Sequence, residues 1–428
     1  MILSTHSIPG LVLRNHRFEL PLDYASPGGK TAVFAREVCA AAKDRQDLPT
    51  MVFFQGGPGS GSPRPMGNTG WIKRVLQDYR LLLLDQRGTG LSTPITAQTM
   101  RRFPTAQAQA DHFKHFRSDN IVRDAEAIRR QLIGDQPWSI LGQSYGGFCV
   151  MRYLSASPEG LREALITGGI PSLTRPAEDV YRGTYPRVAA KNRLYFQRYP
   201  EDAGRVRAIV RRLLEHEVQM PGGGRLSARR FQQLGLQFGM SDGFEAIHYL
   251  LEEAFVDGAS GPEINWNFLF HLEQLQSFDT NPIFSVLQEA CYAQQAATGW
   301  AAARVHRDHP EFEPDADGQV LFTGEMIYPW MFDEYTQLQP LKEAADIIAA
   351  CDGWPMLYDV PQLRQNRVPV AAAVYYDDMY VHREYSEETA NIVPNMKLWV
   401  TNQYEHNGLR ADGEAVVDHL LQLLRGEA

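Results

Sequence analysis

Between an apolar run that reads as a buried strand, WSILGQ, and one that reads as a helix, YGGFCVMRYLSA, the chain leaves a single residue, Ser144, to make the turn. A turn that tight forces the serine into a strained backbone conformation. It also leaves no room for side chains at Gly142 and Gly146, which would collide with the neighbouring strand and helix. The hydroxyl is exposed, and the first amides of the helix, at the positive end of its dipole, point where the hydroxyl attacks. Gly142-Gln143-Ser144-Tyr145-Gly146 therefore reads as a nucleophile on a strand-to-helix elbow rather than a turn with a capping serine.

The flanking sequence supplies the sheet such an elbow needs. TMVFFQ, RLLLLDQ, WSILGQ and EALITGG are short apolar runs, most of them stopped by glycine, as expected of parallel strands buried on both faces. NIVRDAEAIRRQLIG places Ile121, Val122, Ala125, Ile128 and Leu132 at helical spacing between the second and third. Residues 8–40 read as two further strands joined by a turn at PLDYASPGGK. From about Pro171 the texture turns helical, as in DGFEAIHYLLEEAF, where Phe244, Ile247, Leu251 and Phe255 share a face, with breaks at PGGG, GASGP and ADG. Strand code returns at VPVAAAVYY and MKLWVTN, and the chain closes on the helix GEAVVDHLLQLLR. The fold class is α/β: a mostly parallel sheet formed by residues 1–170 and 367–428, with a large helical cap, 171–366, inserted after the fourth core strand unit. An insertion there lies over the carboxyl ends of the strands, where α/β proteins bind ligands.

A chain of 428 residues buries a sizeable core without disulfides or metal. A net charge of −9 lacks the basic footprint of a nucleic-acid binder. Cys39, Cys149, Cys291 and Cys351 are far apart and form no CxxC pair, which points to free thiols in a reducing cytoplasm and to no zinc site. Neither a signal peptide nor a membrane span is expected. Cys149, on the elbow helix, reads as a packing thiol.

The acid and base of such a site follow the serine in the order acid, histidine. His406, in Gln403-Tyr404-Glu405-His406-Asn407-Gly408, sits between the last strand and the last helix, where a loop reaches Ser144. His382 comes too early for that order, and His419 falls inside the final helix. The acid belongs at the end of VPVAAAVYYDDMYV, which offers Asp377 and Asp378. Neighbours on a strand end point to opposite sides, so one of them can face His406. The amides of Tyr145 and of Gly57, in Gln55-Gly56-Gly57-Pro58-Gly59, are candidates for an oxyanion hole. Asp85 and Arg87, in DQRGTGLS, read as structural braces beneath the site.

Together QGGPGSGSP, DQRGTGLS, GQSYGGF, VPVAAAVYYDDMYV and the NQYEHNG loop resemble the proline iminopeptidases of the α/β-hydrolase superfamily, in the longer bacterial type, over nearly the whole chain. In that family the acid lies nine residues after a strand-opening proline. The same count from Pro369 reaches Asp378, with Tyr375 where the family has a glycine. Gln55 stands where a histidine is common in the broader group. The resemblance implies release of N-terminal proline from small peptides through an acyl-enzyme, with no metal or organic cofactor. It also implies cap glutamates that pair with the substrate's charged terminus: Glu289 and Glu325, with Glu245 as a third candidate. Tyr328, Trp330 and Phe332 are candidates to wall a proline-sized pocket, although aromatic clusters of this kind more often pack as core. A carboxylesterase or a broader aminopeptidase could use the same triad, and a hydrolase fold can also persist as an inactive binding module.

Overall fold

The computed structural model describes residues 2–26, 28–259 and 261–428. Pro27 of the expected first turn and Ser260 of the GASGP break lie outside the described residues. The strands are β1 (Ile2–Ile8), β2 (Leu11–Pro21), β3 (Lys30–Ala40), β4 (Thr50–Phe54), β5 (Arg80–Asp85), β6 (Trp138–Gln143), β7 (Leu161–Thr167), β8 (Phe255–Gly258), β9 (Gly261–Ile264), β10 (Val370–Tyr375) and β11 (Met396–Thr401). Nine of them form one sheet in the order β1-β2-β3-β5-β4-β6-β7-β10-β11. From β5 to β11 neighbouring strands run parallel, and β1, β2 and β3 pair antiparallel at one edge.

Alternation along the central strands explains why they read as continuous apolar runs. Val52, Phe54, Leu82, Leu84, Ile140, Ile166 and Ala372 pack on one face, against the helices Ser118–Ile133 and Tyr145–Ala156. Met51, Phe53, Leu81, Leu83, Leu141, Leu165 and Ala373 pack on the other, against Val75 of one helix and Val416, Val417, Leu420 and Leu421 of the helix Gly413–Arg425. Both faces are dry, so neither parity of position is polar.

Between β7 and β10 the chain is mostly helical and builds a third apolar cluster, in which Tyr185, Tyr195, Phe231, Phe322 and Tyr335 are buried. One expectation needs correction. Phe255 lies beyond the helix Gly243–Glu252 and opens β8, which pairs with β9 in a small antiparallel hairpin. That hairpin is largely exposed, so burial imposed no apolar alternation on it. β1 is exposed along almost its whole length and carries no core pattern for the same reason. Among the described residues, no helix is long and apolar enough to cross a membrane.

Candidate active site

Ser144 follows β6 and precedes the helix Tyr145–Ala156, at φ 53° and ψ −123°. A non-glycine residue in that region is strained, and the neighbours hold it there. Its amide donates to the Thr167 carbonyl of β7 at 2.9 Å, and its carbonyl accepts from Gly147 at 2.7 Å. A Cβ on Gly142 would stand 2.4 Å from the Gly146 carbonyl oxygen, and one on Gly146 would stand 1.9 Å from that of Phe54 in β4. These are the collisions with helix and strand anticipated from sequence, and both are with backbone that cannot swing aside.

The loop after β4 comes against the elbow. A Cβ on Gly56 would lie 3.0 Å from Cβ of Ser144, and Gly57 has φ 131°, a conformation that favours glycine. Gln86 Nε2 donates to the Gln55 carbonyl at 2.9 Å, tying this loop to the turn after β5. That turn is braced as expected. Asp85 accepts the amides of Ser62 and Leu91 at 2.9 and 2.8 Å and one Arg64 nitrogen at 3.0 Å. Arg87 pairs with buried Asp124 at 2.6 and 2.7 Å and donates to the carbonyls of Pro21, Leu22 and His115.

Asp378 follows β10 and is buried, whereas its neighbour Asp377 is exposed and lies 3.5 Å from Arg187. Asp378 Oδ1 accepts the amides of Tyr380 and Val381 at 2.8 and 3.0 Å. This leaves Oδ2 to meet His406 Nδ1 at 2.7 Å. Nδ1–H faces the carboxylate, so Nε2 is the nitrogen left to act as base. Burial alone would lower the His406 pKa. The charge and hydrogen bond of Asp378, with Glu325 and Glu405 behind them, outweigh burial and hold it above the ordinary histidine value. Tyr375 finds its space through two glycines: Cβ atoms at Gly168 and Gly408 would come within 2.9 and 2.5 Å of its ring and hydroxyl.

The rest of the chain agrees with this geometry. The model of the α/β hydrolase fold family matches residues 49–219. A proline iminopeptidase of Aeromonas sobria is 47% identical over 420 residues, covering 98% of each chain. One of Aspergillus aculeatus is 37% identical over 430 residues, covering 98% of this chain and 95% of the other. The chain belongs to the proline iminopeptidase family.

Within this family member the cap acids fall into three environments. Glu325 lies within electrostatic reach of His406 and Asp378. It keeps some accessible surface although protein surrounds it. Desolvation pushes its pKa up to about 8, against the pull of His406 and a hydrogen bond from Gln288, and with a push from Asp378. Glu289 is buried, but both its oxygens already accept backbone amides, from Ala301 at 2.9 Å and Ala302 at 2.8 Å, so it holds the start of the helix Ala301–His306. Burial raises its pKa too. Glu245 pairs with Arg198 at 2.7 Å on the surface, apart from the site.

Of the two readings for Tyr328, Trp330 and Phe332, the packing role is the one seen. Tyr328 and Trp330 stack on each other and line a cap cavity of about 420 Å³ that neither Ser144, Asp378, His406 nor Glu325 borders. Phe332 packs on Trp300. The rings that feel Glu325 are Tyr181, Tyr292 and Tyr380, and Tyr380 stands edge-on to His406 at 4.7 Å. Tyr292 and Tyr380 sit close in sequence to Glu289 and Asp378, a signal that proximity to acids alone does not separate from chance.

The cap also holds the loops of the core, which sequence reading missed. The His406 amide donates to the Gly239 carbonyl at 3.0 Å. Asn407 Oδ1 accepts both the amide and the hydroxyl of Ser241, at 2.9 and 2.8 Å, and Lys191 pairs with Glu405. On the other side Asn281 Nδ2 donates to the Pro58 carbonyl at 3.1 Å, in the loop that carries Gly57. Cys149 is fully buried, and desolvation drives its thiol well above the ordinary range, which fits a packing role. His419 packs on Trp399, and His382 begins the helix Arg383–Ile392. Among the described residues no cluster of three or more His, Cys, Asp or Glu side chains is placed to hold a metal ion.

Proposed function

We propose that the protein is a serine exopeptidase that releases the N-terminal proline of peptides. The observation that carries this reading is Glu325: a carboxyl enclosed by protein, close enough to His406 and Asp378 to shift with their charge. A serine–histidine–aspartate set needs no such group to cleave an ester or an internal peptide bond. A charged imino terminus does need one, because burying a cation without a carboxylate is costly. The choice of proline rests on the two full-length relatives named above.

In this reading Ser144 Oγ attacks the carbonyl carbon of the first residue while His406 Nε2 takes its proton. The negative oxygen that develops is met by the amides of Tyr145 and Gly57. The C–N bond breaks as His406 returns the proton to the departing nitrogen, leaving proline esterified to Ser144. Water then attacks that ester, His406 again taking and returning a proton, and free proline leaves. Asp378 holds the imidazole tautomer throughout. Glu325 pairs with the imino cation, and Glu289 adds charge from its place on the helix start. The core, 1–170 and 367–428, carries the chemistry, and the cap, 171–366, carries recognition of the chain end. The four free thiols fit a reducing compartment, and we place the enzyme in the cytoplasm.

A panel of aminoacyl naphthylamides tests this with purified protein. Proline naphthylamide should be the best substrate, ahead of alanine naphthylamide and of a simple aryl ester. Preference for the aryl ester would favour a carboxylesterase, and failure to react with a fluorophosphonate would favour an inactive binding protein.

A further inference from the structure

His406 fixes where the departing half of the substrate must lie. The nitrogen released from the acyl carbon takes its proton from this imidazole, so the peptide beyond the broken bond lies along the side of His406 open to it. His406 and Gln143, the residue before Ser144, both border a cleft of about 570 Å³, which Ser144 itself does not line. Its lining includes Met66 and Trp71 from the segment after the oxyanion loop, and Leu409 with Met240 from the cap. Glu325 does not border it, nor do Tyr181, Tyr292 and Tyr380, the rings that feel its charge, so the two sides of His406 differ in chemistry.

The charges around the cleft are already engaged. Arg64 is held by Asp85, and Arg410 lies 3.3 Å from Asp242. The rest of the lining mixes polar Gln55, Thr69, Gln143 and Asn407 with an apolar part to which Met66 and Trp71 belong. Trp71 rests on Phe53 with ring centroids 4.6 Å apart, and Met66 is 94% exposed, a large apolar side chain at the mouth with nothing of its own chain over it. Covering such surface with a matching side chain is favourable by the area removed from water.

Building on the peptidase reading above, we infer that this cleft is the leaving-group subsite, and that Trp71 and Met66 select peptides whose second residue carries a large apolar side chain. The enzyme then reads two positions at once: the terminal cation through Glu325, and the residue beyond the broken bond through the cleft. A pocket contact of this kind is worth about ten-fold or more in kcat/KM.

The test uses prolyl-phenylalaninamide and prolyl-glycinamide, which share the terminus and the scissile bond and differ in the side chain entering the cleft. For the wild type, kcat/KM should favour the phenylalanine substrate by about ten-fold or more. Trp71→Ala should reduce that ratio to about two. Met66→Asp, at a position too exposed to disturb folding, should reduce it as well by placing a charge against the apolar side chain. A wild type that cleaves both substrates equally well overturns the inference while leaving the peptidase reading intact. So does a ratio that survives Trp71→Ala and Met66→Asp. A wild type that frees proline from neither substrate removes the peptidase reading, and this inference with it.

Discussion

The two halves of the site are held by different physics. On the core side, the elbow keeps its shape because nothing else fits: Gly142, Gly146 and Gly147 lie against carbonyls of Gly146, Phe54 and Gly169 at distances no Cβ can occupy. On the cap side, position depends on polar contacts between segments far apart in sequence, such as Ser241 with Asn407, Lys191 with Glu405, and Asn281 with the Pro58 carbonyl. Exclusion by backbone is stiff and local, and it leaves a short motif in the sequence. Hydrogen bonds between distant loops are individually modest and leave none. The helical segment thus holds the loop that carries His406, through Gly239 and Ser241, and the loop that carries Gly57, through Asn281.

The largest effects should fall on the core half. Ser144→Ala should fold normally and lose turnover on the order of 10⁴–10⁶-fold, measured with proline naphthylamide. Gly146→Ala should instead prevent normal folding, seen as aggregated protein or a collapsed thermal transition, because its methyl group meets the Phe54 carbonyl. If Gly146→Ala folds and works, the elbow is softer than the contrast requires.

Asp378→Asn should cost about 10⁴-fold in kcat by leaving His406 in the wrong tautomer. Asp377→Asn, at an exposed side chain with a 3.5 Å contact to Arg187, should change kcat less than about two-fold. Equal losses at the two positions would mean that the strand-end alternation is misread.

On the cap half the effects should be smaller. Ser241→Ala removes a donor that steadies the residue after His406, and it should lower kcat about two- to ten-fold without raising KM. A loss as large as that of Asp378→Asn would place Ser241 in the chemistry and erase the distinction between the two halves.

Glu325 also gives the cap a signature in pH. Its folded pKa, about 8, lies above its ordinary value of 4.5, so the fold favours the protonated form. The stability this contributes is present at low pH and is lost as pH rises through about 8. Glu325→Gln should therefore match the wild type in Tm at pH 5 and exceed it by about 3 °C or more at pH 9. A wild type as stable as the variant at pH 9 would show that Glu325 is better solvated than its surroundings indicate.

The contrast also explains what could be read without the structure. Parallel strands buried on both faces announce themselves through runs such as RLLLLDQ and VPVAAAVYY, and the elbow through glycines that sterics demand. The loop carrying His406 followed from chain order, and Asp378 from the count after Pro369. The exposed β1 and the hairpin of β8 and β9 obey no burial pattern and went unseen. Tyr328, Trp330 and Phe332 are aromatic for the cap's own packing, and composition does not tell which cavity a ring faces. The sequence QFGMSDG reads as a loop. That its Gly239 carbonyl and Ser241 anchor the histidine loop depends on the packing of cap on core.

The central claim is that a core triad acts on a chain end recognised by Glu325. Its most direct measurement compares proline naphthylamide with its N-acetylated form, in the wild type and in Glu325→Gln. Acetylation removes the cation, so the wild type should cleave the free substrate and leave the acetylated one essentially intact. Glu325→Gln should raise KM for the free substrate about ten- to hundred-fold, the equivalent of one charge-assisted hydrogen bond. Equal cleavage of both substrates by the wild type would contradict the account.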